Sequence, residues 1–481
     1  MGYLQENHSE RTLASPLRDS QRSIVLGGGL AGLSAGHALA KAGIPVLVFE
    51  GNDEVGGLSR TIRHGDFRFD LGGHRFHTKN METLQFVKDI LNNDYLIVDR
   101  KSKIFMKNRF FNYPLKPSNA LMGMGIPTTV KAVSDYGLEK VKNIFRHPKN
   151  ISLEDWVVAH FGRTMFTLYF KEYSEKVWGI ECSRISEEWV SKRIKGLSLG
   201  VAIKNAFKLG GKDVSTLTDE FIYPPFGIGQ ISDNLCRSIS ESNQVLTETN
   251  IDRICHNDCE ITHIIIEKSG MVSSVKGSEY ISSIPITSLV HMLDPAPPAD
   301  ILEAASLLKY RDIVIVTVML DRDRVTDLTW MYLPEHDMPL GRIHEPKNWS
   351  PHMAPKGKTH IVAEYFCFSG DDIWNSSDEE LATVTVSQLE KLGFIHKKEV
   401  IDRCIIRTPK AYPLFEVGYA SHYSRILRYL GNFKNLHIAG RTGMFKYYNM
   451  DRAIESGIEV ADKVINLRSN VIRKEVVPIG A

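Results

Sequence analysis

Residues 22–50 read RSIVLGGGLAGLSAGHALAKAGIPVLVFE, and this stretch decides the fold class. RSIVL is a short apolar strand, LAGLSAGHALAKAG a helix of small residues closed by Gly43, and IPVLVFE a second strand, so the run is one βαβ unit. Between the first strand and the helix, Gly27, Gly29 and Gly32 stand at G-x-G-x-x-G spacing. Glycines there let the backbone turn tightly and approach a pyrophosphate, whose charge meets the unpaired amides of the helix start. Glu50 closes the second strand 18 residues beyond Gly32, where a carboxylate can accept a hydrogen bond from a ribose hydroxyl. The unit predicts a bound dinucleotide and leaves NAD and FAD to be separated.

The rest of the chain is consistent with an α/β protein of ordinary composition. At 481 residues it is long enough for several units of structure and a large core. Fifty-nine basic against 57 acidic residues leave no field that would draw nucleic acid. No run approaches the roughly 18 apolar residues of a membrane span. Residues 1–20 are polar, without the apolar centre of a signal peptide, and are expected to be a flexible lead. Six scattered cysteines fit free thiols in a reducing, cytoplasmic compartment. Cys255, His256, Cys259 and His263 lie close together, but their spacing and the strand-like ITHIII that follows fit zinc ligation poorly, so no metal is expected.

Along the chain, the pattern turns helical from about Met81 to Leu217, with apolar residues three and four apart, and reads as an insertion. SLEDWV places Ser152 three residues before Asp155, a helix cap of the Ser-x-x-acid kind. Later β-like runs, ITHIIIEKSG, GSEYISSIP, DIVIVTVML and HIVAEYFCF, suggest an antiparallel sheet on the substrate side. The expected division is therefore a Rossmann-like cofactor domain from residues 21–80, 220–285 and 400–470, a helical domain with a mobile loop at 81–219, an antiparallel sheet domain at 286–399, and a tail at 471–481.

EGNDEVGGLSRT, residues 50–61, brings Gly56, Gly57 and Arg60 within ten residues of Glu50. It resembles the second flavin motif of the large FAD family that includes amine oxidases, protoporphyrinogen oxidases and UDP-galactopyranose mutases, and it favours FAD. In FRFDLGGHRFH, Gly72, Gly73 and His74 resemble the Gly-Gly-His loop that runs against the flavin ring in the mutases. The long stretch at 156–196 is similar to the mutase segment where a helix ends in Lys-Val-Trp before a mobile loop. That likeness implies Trp178 facing the sugar and Arg193 swinging onto the diphosphate, with the other aromatics of the helix a buried stripe. WMYLPEHDMPLGRIHEPKNWSP resembles the strand pair presenting a second phosphate-binding arginine, Arg342, after Trp330 and Tyr332. Tyr113, Tyr412 and Tyr447 match mutase tyrosines that line the sugar pocket. IAGRTG followed by FKYYNMD resembles the closing flavin motif, with Gly440 and Arg441 at the pyrophosphate and Asn449 and Met450 opening a helix toward the flavin.

The resemblance runs from about Ser23 to Ile465, and its motif order is that of the mutases. It implies cofactor contacts from Gly27, Gly29, Leu30, Ala31, Gly32, Glu50, Gly51, Gly57, Leu58, Gly73, His74, Gly440, Arg441, Asn449 and Met450, with His74, Arg193 and Arg342 catalytic and Tyr332 among the substrate contacts. The activity implied is pyranose–furanose interconversion of a nucleotide-diphosphate sugar through a reduced-flavin N5–sugar adduct, with NADPH or NADH as a source of reducing equivalents and a homo-oligomer left open. No segment is assignable to uracil recognition, and Asn449 stands where short mutases carry Asp, so base and sugar stay open. The rival reading is a true FAD oxidoreductase acting on an amine, a porphyrinogen or a sugar on the same fold. A flavin-binding protein without catalysis is the third.

Overall fold

The structure is a computed structural model in which residues 21–106, 109–113, 126–146, 151–191 and 220–475 are described. Its cofactor half is built on a parallel sheet in the order Leu436–Ile438, Glu279–Ser282, Ser23–Leu26, Val46–Phe49, Gln244–Leu246. The two strands of the opening βαβ unit are buried at every position, because helices cover the sheet, and so they read as unbroken apolar runs. Helix Leu30–Lys41 packs against the C-terminal helix Met450–Glu475 and against helix Gln230–Ser240. The last strand and last helix of the chain thus close the sheet and layer that its first elements began.

The substrate half is a seven-stranded sheet in the order Val400–Pro413, Tyr310–Leu320, Thr359–Cys367, Arg342–His344, Trp330–Tyr332, Ser102–Met106, Arg109–Asn112. Its pairs are antiparallel except that Trp330–Tyr332 runs parallel to Ser102–Met106. Tyr310–Leu320 and Thr359–Cys367 are buried throughout, the expected result for β-branched strands with both faces covered. A four-stranded sheet, Met271–Val275, Glu260–Lys268, Asn250–Asn257 and Leu293–Asp294, stands beside the parallel one.

Three sequence expectations are corrected here. Strand Val400–Pro413, placed by the sequence in the cofactor domain, pairs with Tyr310–Leu320 and belongs to the substrate sheet. Glu279–Ser282, read as antiparallel, is flanked in parallel by Ser23–Leu26 and Leu436–Ile438. The insertion is not helical throughout, for residues 96–112 contain strands, two of which extend the substrate sheet. Apart from the local hairpin of Ser102–Met106 and Arg109–Asn112, the partner strand in each case is distant in sequence, and local periodicity carries no record of it. The Ser152–Asp155 cap, a local feature, is present as a full capping box before helix Leu153–Phe161. Residues 1–20, 192–219 and 476–481, and with them Arg193, lie outside the described residues. No described helix is long and apolar enough to cross a membrane.

Candidate active site

Strand Ser23–Leu26 ends at Gly27, whose φ is +102°, and helix Leu30–Lys41 starts with Gly29 at its N-cap. A Cβ at Gly32 would lie 2.0 Å from the Gly27 carbonyl oxygen, so the turn closes only on glycine. No side chain caps this helix, which leaves its first amides to an anion. The amide of Gly56 donates to the Gly28 carbonyl at 2.7 Å and so docks the second glycine motif directly on the first. Leu58 lies in the short turn Gly57–Ser59 that follows, and Gly51 is exposed just before it.

Glu50 accepts from the Gly28 amide at 2.9 Å on one carboxylate oxygen and from the Asn52 amide at 2.9 Å on the other. Asn52 Nδ2 also donates to that second oxygen at 2.6 Å, so the capacity left for a ribose hydroxyl is on the oxygen that accepts from Gly28. From the far end of the chain, Gly440 comes so close to Ala31 that a Cβ there would meet the Ala31 Cβ at 2.8 Å, and its amide donates to Ser456 Oγ at 3.0 Å. Arg441 follows, with Nε and Nη2 buried and without a hydrogen-bond partner among the described residues; His74 Nδ1 is in the same condition. Asn449 immediately precedes helix Met450–Glu475. An uncapped helix start, a strand-end carboxylate and orphaned guanidinium donors are the groups that a dinucleotide with a pyrophosphate satisfies, and the residues fit FAD.

On the substrate side, Tyr332, Arg342 and Glu364 face one another across three neighbouring strands. Arg342 Nε donates to Glu364 Oε1 at 2.7 Å and Nη2 donates to Oε2, a bidentate fork. The Gly73 amide donates to the same Oε1 at 3.1 Å, so Glu364 ties the Gly72–Gly73–His74 loop to Arg342. Tyr113 and Tyr332 pack with ring centroids 4.8 Å apart, and Tyr173 meets Tyr332 edge-on at 5.5 Å. Tyr412 and Tyr447 stack at 6.1 Å, with the Arg441 guanidinium 4.6 and 4.3 Å from their centroids. The structure therefore gathers His74, Arg342, Arg441 and the four expected tyrosines around one site.

Burial opposes ionisation of Glu364, but Arg342 and His344 outweigh it and hold the carboxyl down at about 2. Burial, with the charges of Arg342 and Arg441, pushes His74 down to about 4 against the pull of Glu364, and its imidazole is neutral at pH 7. Burial likewise raises the Tyr173 phenol well above its ordinary value and Tyr412 to about 12, so both stay protonated.

Trp178, which the resemblance places facing the sugar, touches the site tyrosine Tyr447 but has almost no exposed surface. Its side chain is 1% exposed, packed with Trp189, Phe415 and Tyr447, and the more accessible Tyr173, from the stripe expected to be buried, reaches Tyr332. Both residues lie on helix Glu172–Trp178, which a π-helical segment at Phe166–Lys171 precedes. Residues Arg184 to Glu187 of the loop expected to move make backbone hydrogen bonds to neighbouring segments. Ile185 O accepts from Leu153 N at 2.7 Å, Phe415 O from Ser186 N at 2.7 Å and Arg184 O from Val417 N at 2.7 Å.

Sequence reading missed Glu364, Tyr173, Arg75 and Lys176. Glu364 had a signal, as the one charged side chain inside the apolar run HIVAEYFCF. Lys176 had none: its Nζ donates to the carbonyls of Leu333, Glu335, Met338 and Leu340 at 2.5–3.1 Å, fastening the loop between Tyr332 and Arg342 to helix Glu172–Trp178.

Comparison with known proteins agrees with this construction. Among solved structures, a reduced UDP-galactopyranose mutase superposes with a TM-score of 0.79 at 20% identity, covering 93% of this chain and 96% of that one. Cyclohexylamine oxidase from Brevibacterium oxydans superposes with a TM-score of 0.67 at 14% identity, over 94% and 100% of the two chains. Among characterised sequences, an L-amino-acid oxidase of Crotalus adamanteus is 34% identical over 112 residues, 20% of this chain and 22% of its own length. The chain thus matches about a fifth of the length of this sequence relative. The sequence model described as flavin containing amine oxidoreductase matches residues 30–465. With that match spanning nearly the whole chain and a glycine cradle built for a flavin dinucleotide, the protein belongs to the flavin-containing amine oxidoreductase family.

Proposed function

We propose that the protein is a nucleotide-sugar mutase, working with reduced FAD to interconvert the pyranose and furanose forms of a sugar linked to a nucleotide diphosphate. The observation that carries this reading is the sign of the site. Arg342 and Glu364 cancel, His74 is neutral, Arg441 is left to the pyrophosphate of the flavin, and Arg75 beside Tyr332 has no ion-pair partner among the described residues. A surplus of guanidinium charge attracts a diphosphate and repels the protonated amine that an amine oxidase must bind. The likeness of fold to UDP-galactopyranose mutase supports the same reading.

Reduced flavin, when bound, supplies the electron-rich ring that such a reaction needs at the anomeric carbon. The chain supplies the rest. Tyr113, Tyr332 and Tyr173 present aromatic faces and phenol hydroxyls to a pyranose, and burial keeps the Tyr173 hydroxyl protonated as a donor. The guanidinium groups stabilise the diphosphate as charge develops on its departing oxygen, a contribution larger in a buried site than in water. His74, neutral and adjoining the Gly73 amide, packs the loop where the ring would lie without adding charge to it. Glu364, fully paired, is no acid or base for the reaction, and ring opening and reclosure need only positioning.

The test is incubation of the dithionite-reduced protein with UDP- and dTDP-linked hexoses, with products resolved by anion-exchange chromatography. A new isomer of one of these nucleotide sugars, formed only by reduced protein, is expected. Bleaching of the oxidised flavin by an amine or an L-amino acid, with no isomer from any nucleotide sugar, would overturn the proposal in favour of an oxidase, the reading to which the local Crotalus match points.

A further inference from the structure

We infer that Arg75, rather than Arg342, supplies the charge that holds the substrate's phosphates, and that Trp330 is the platform that aims it; this rests on the nucleotide-sugar reading. Arg75 directly follows His74, and its guanidinium carbon lies 4.7 Å from the centre of the Trp330 ring. Trp330 and Tyr332 are two residues apart on strand Trp330–Tyr332, so their side chains share a face of the sheet. A guanidinium held over Trp330 is therefore beside Tyr332, and Tyr332, Tyr113, Arg100 and Arg342 are its electrostatic neighbours. A cation–π contact is electrostatic rather than a hydrogen bond, so it leaves the guanidinium N–H donors to a ligand. No hydrogen bond or ion pair takes up those donors among the described residues.

Arg342 stands in the opposite condition. Its Nε and Nη2 are committed to Glu364, a buried carboxylate that also cancels its charge. Arg342 can still offer a hydrogen bond, but a dianion approaching it meets an ion pair rather than a cation. Arg75 meets it with a full charge and a planar fork that matches phosphate oxygens in pairs. The ligand class is a phosphate or pyrophosphate ester, and the structure gives the residue after the Gly-Gly-His loop a role in recognising it.

Titration calorimetry of the oxidised holoenzyme at low ionic strength, with UDP and with inorganic pyrophosphate as probes, tests this. The Arg75→Gln variant should bind both probes ~10-fold or more weakly, with flavin occupancy and melting temperature unchanged, and Arg75→Lys should recover part of the loss. Added salt should narrow the gap between wild type and Arg75→Gln. Equal affinity of wild type and Arg75→Gln for both probes overturns the assignment of Arg75 while the mutase reading stands. A wild-type holoenzyme that binds neither probe overturns both.

Discussion

Arg342 and Glu364 form a two-pronged ion pair across adjacent strands, and the same carboxylate accepts the amide of Gly73 from the flavin-side loop. One buried acid thus fixes the distance between the substrate sheet and the loop on which the cofactor would rest. Removing it strands the Arg342 charge in a site that is mostly desolvated. Glu364→Gln should cost about 3–5 kcal/mol of stability, read by denaturant unfolding of the holoenzyme. A loss under about 1 kcal/mol would mean the pair is dispensable for folding.

The pH dependence of stability contains two opposed terms. Glu364, held at about 2 in the folded protein, contributes stability that is present above its ordinary value of 4.5 and lost as pH falls toward 2. Asp70 behaves in the reverse sense. Burial pushes its carboxyl up to about 7 against hydrogen bonds from Thr61, Tyr223 and Ile228, so its stabilising term is complete below 3.8 and lost as pH rises through about 7. Melting temperature measured against pH should therefore fall from the acid side toward neutrality in wild type by more than in Asp70→Asn. Parallel profiles for the two proteins would contradict this.

Gly29 and Gly32 should fail differently on substitution. A Cβ at Gly32 collides with the Gly27 carbonyl at 2.0 Å, and Gly32→Ala is expected to disturb the turn itself and lower the melting temperature even of apoprotein. A Cβ at Gly29 meets nothing within 4 Å in the protein, so Gly29→Ala should keep the fold and lose flavin, since its methyl occupies the approach of the pyrophosphate. The ratio of flavin to protein absorbance, beside circular dichroism, separates the two.

Lys176 offers a test of how the substrate hairpin is held. Its ammonium is the common donor to carbonyls spread along the loop from Leu333 to Leu340. Lys176→Met should lower stability by about 1.5–3 kcal/mol and raise KM through displacement of Tyr332 and Arg342, with flavin content intact. An unchanged KM would show that the hairpin keeps its place without the lysine.

Trp178 and Tyr173 should exchange the roles that sequence likeness assigned. Trp178→Ala, emptying a wholly buried site, is expected to cost about 3–5 kcal/mol, whereas Tyr173→Phe removes only a hydroxyl beside Tyr332 and should change KM more than stability. Kinetics and unfolding measured on both variants decide between the assignments.

What the sequence settled by itself were features contained within a short span of chain: the βαβ unit with its three spaced glycines and Glu50, the Ser152 capping box and the identity of the buried strands. Each depends on local periodicity, on φ values open to glycine or on a cap a few residues from its partner. The pairing of Glu364 with Arg342, the Lys176 fastening, the seating of Arg75 over Trp330 and the burial of Trp178 were decided only by the tertiary structure. They depend on the register between strands and on packing between elements distant in sequence. A one-residue slip in register would turn Arg342 to the opposite face of the sheet, and the spacing of residues along the chain does not encode which register forms.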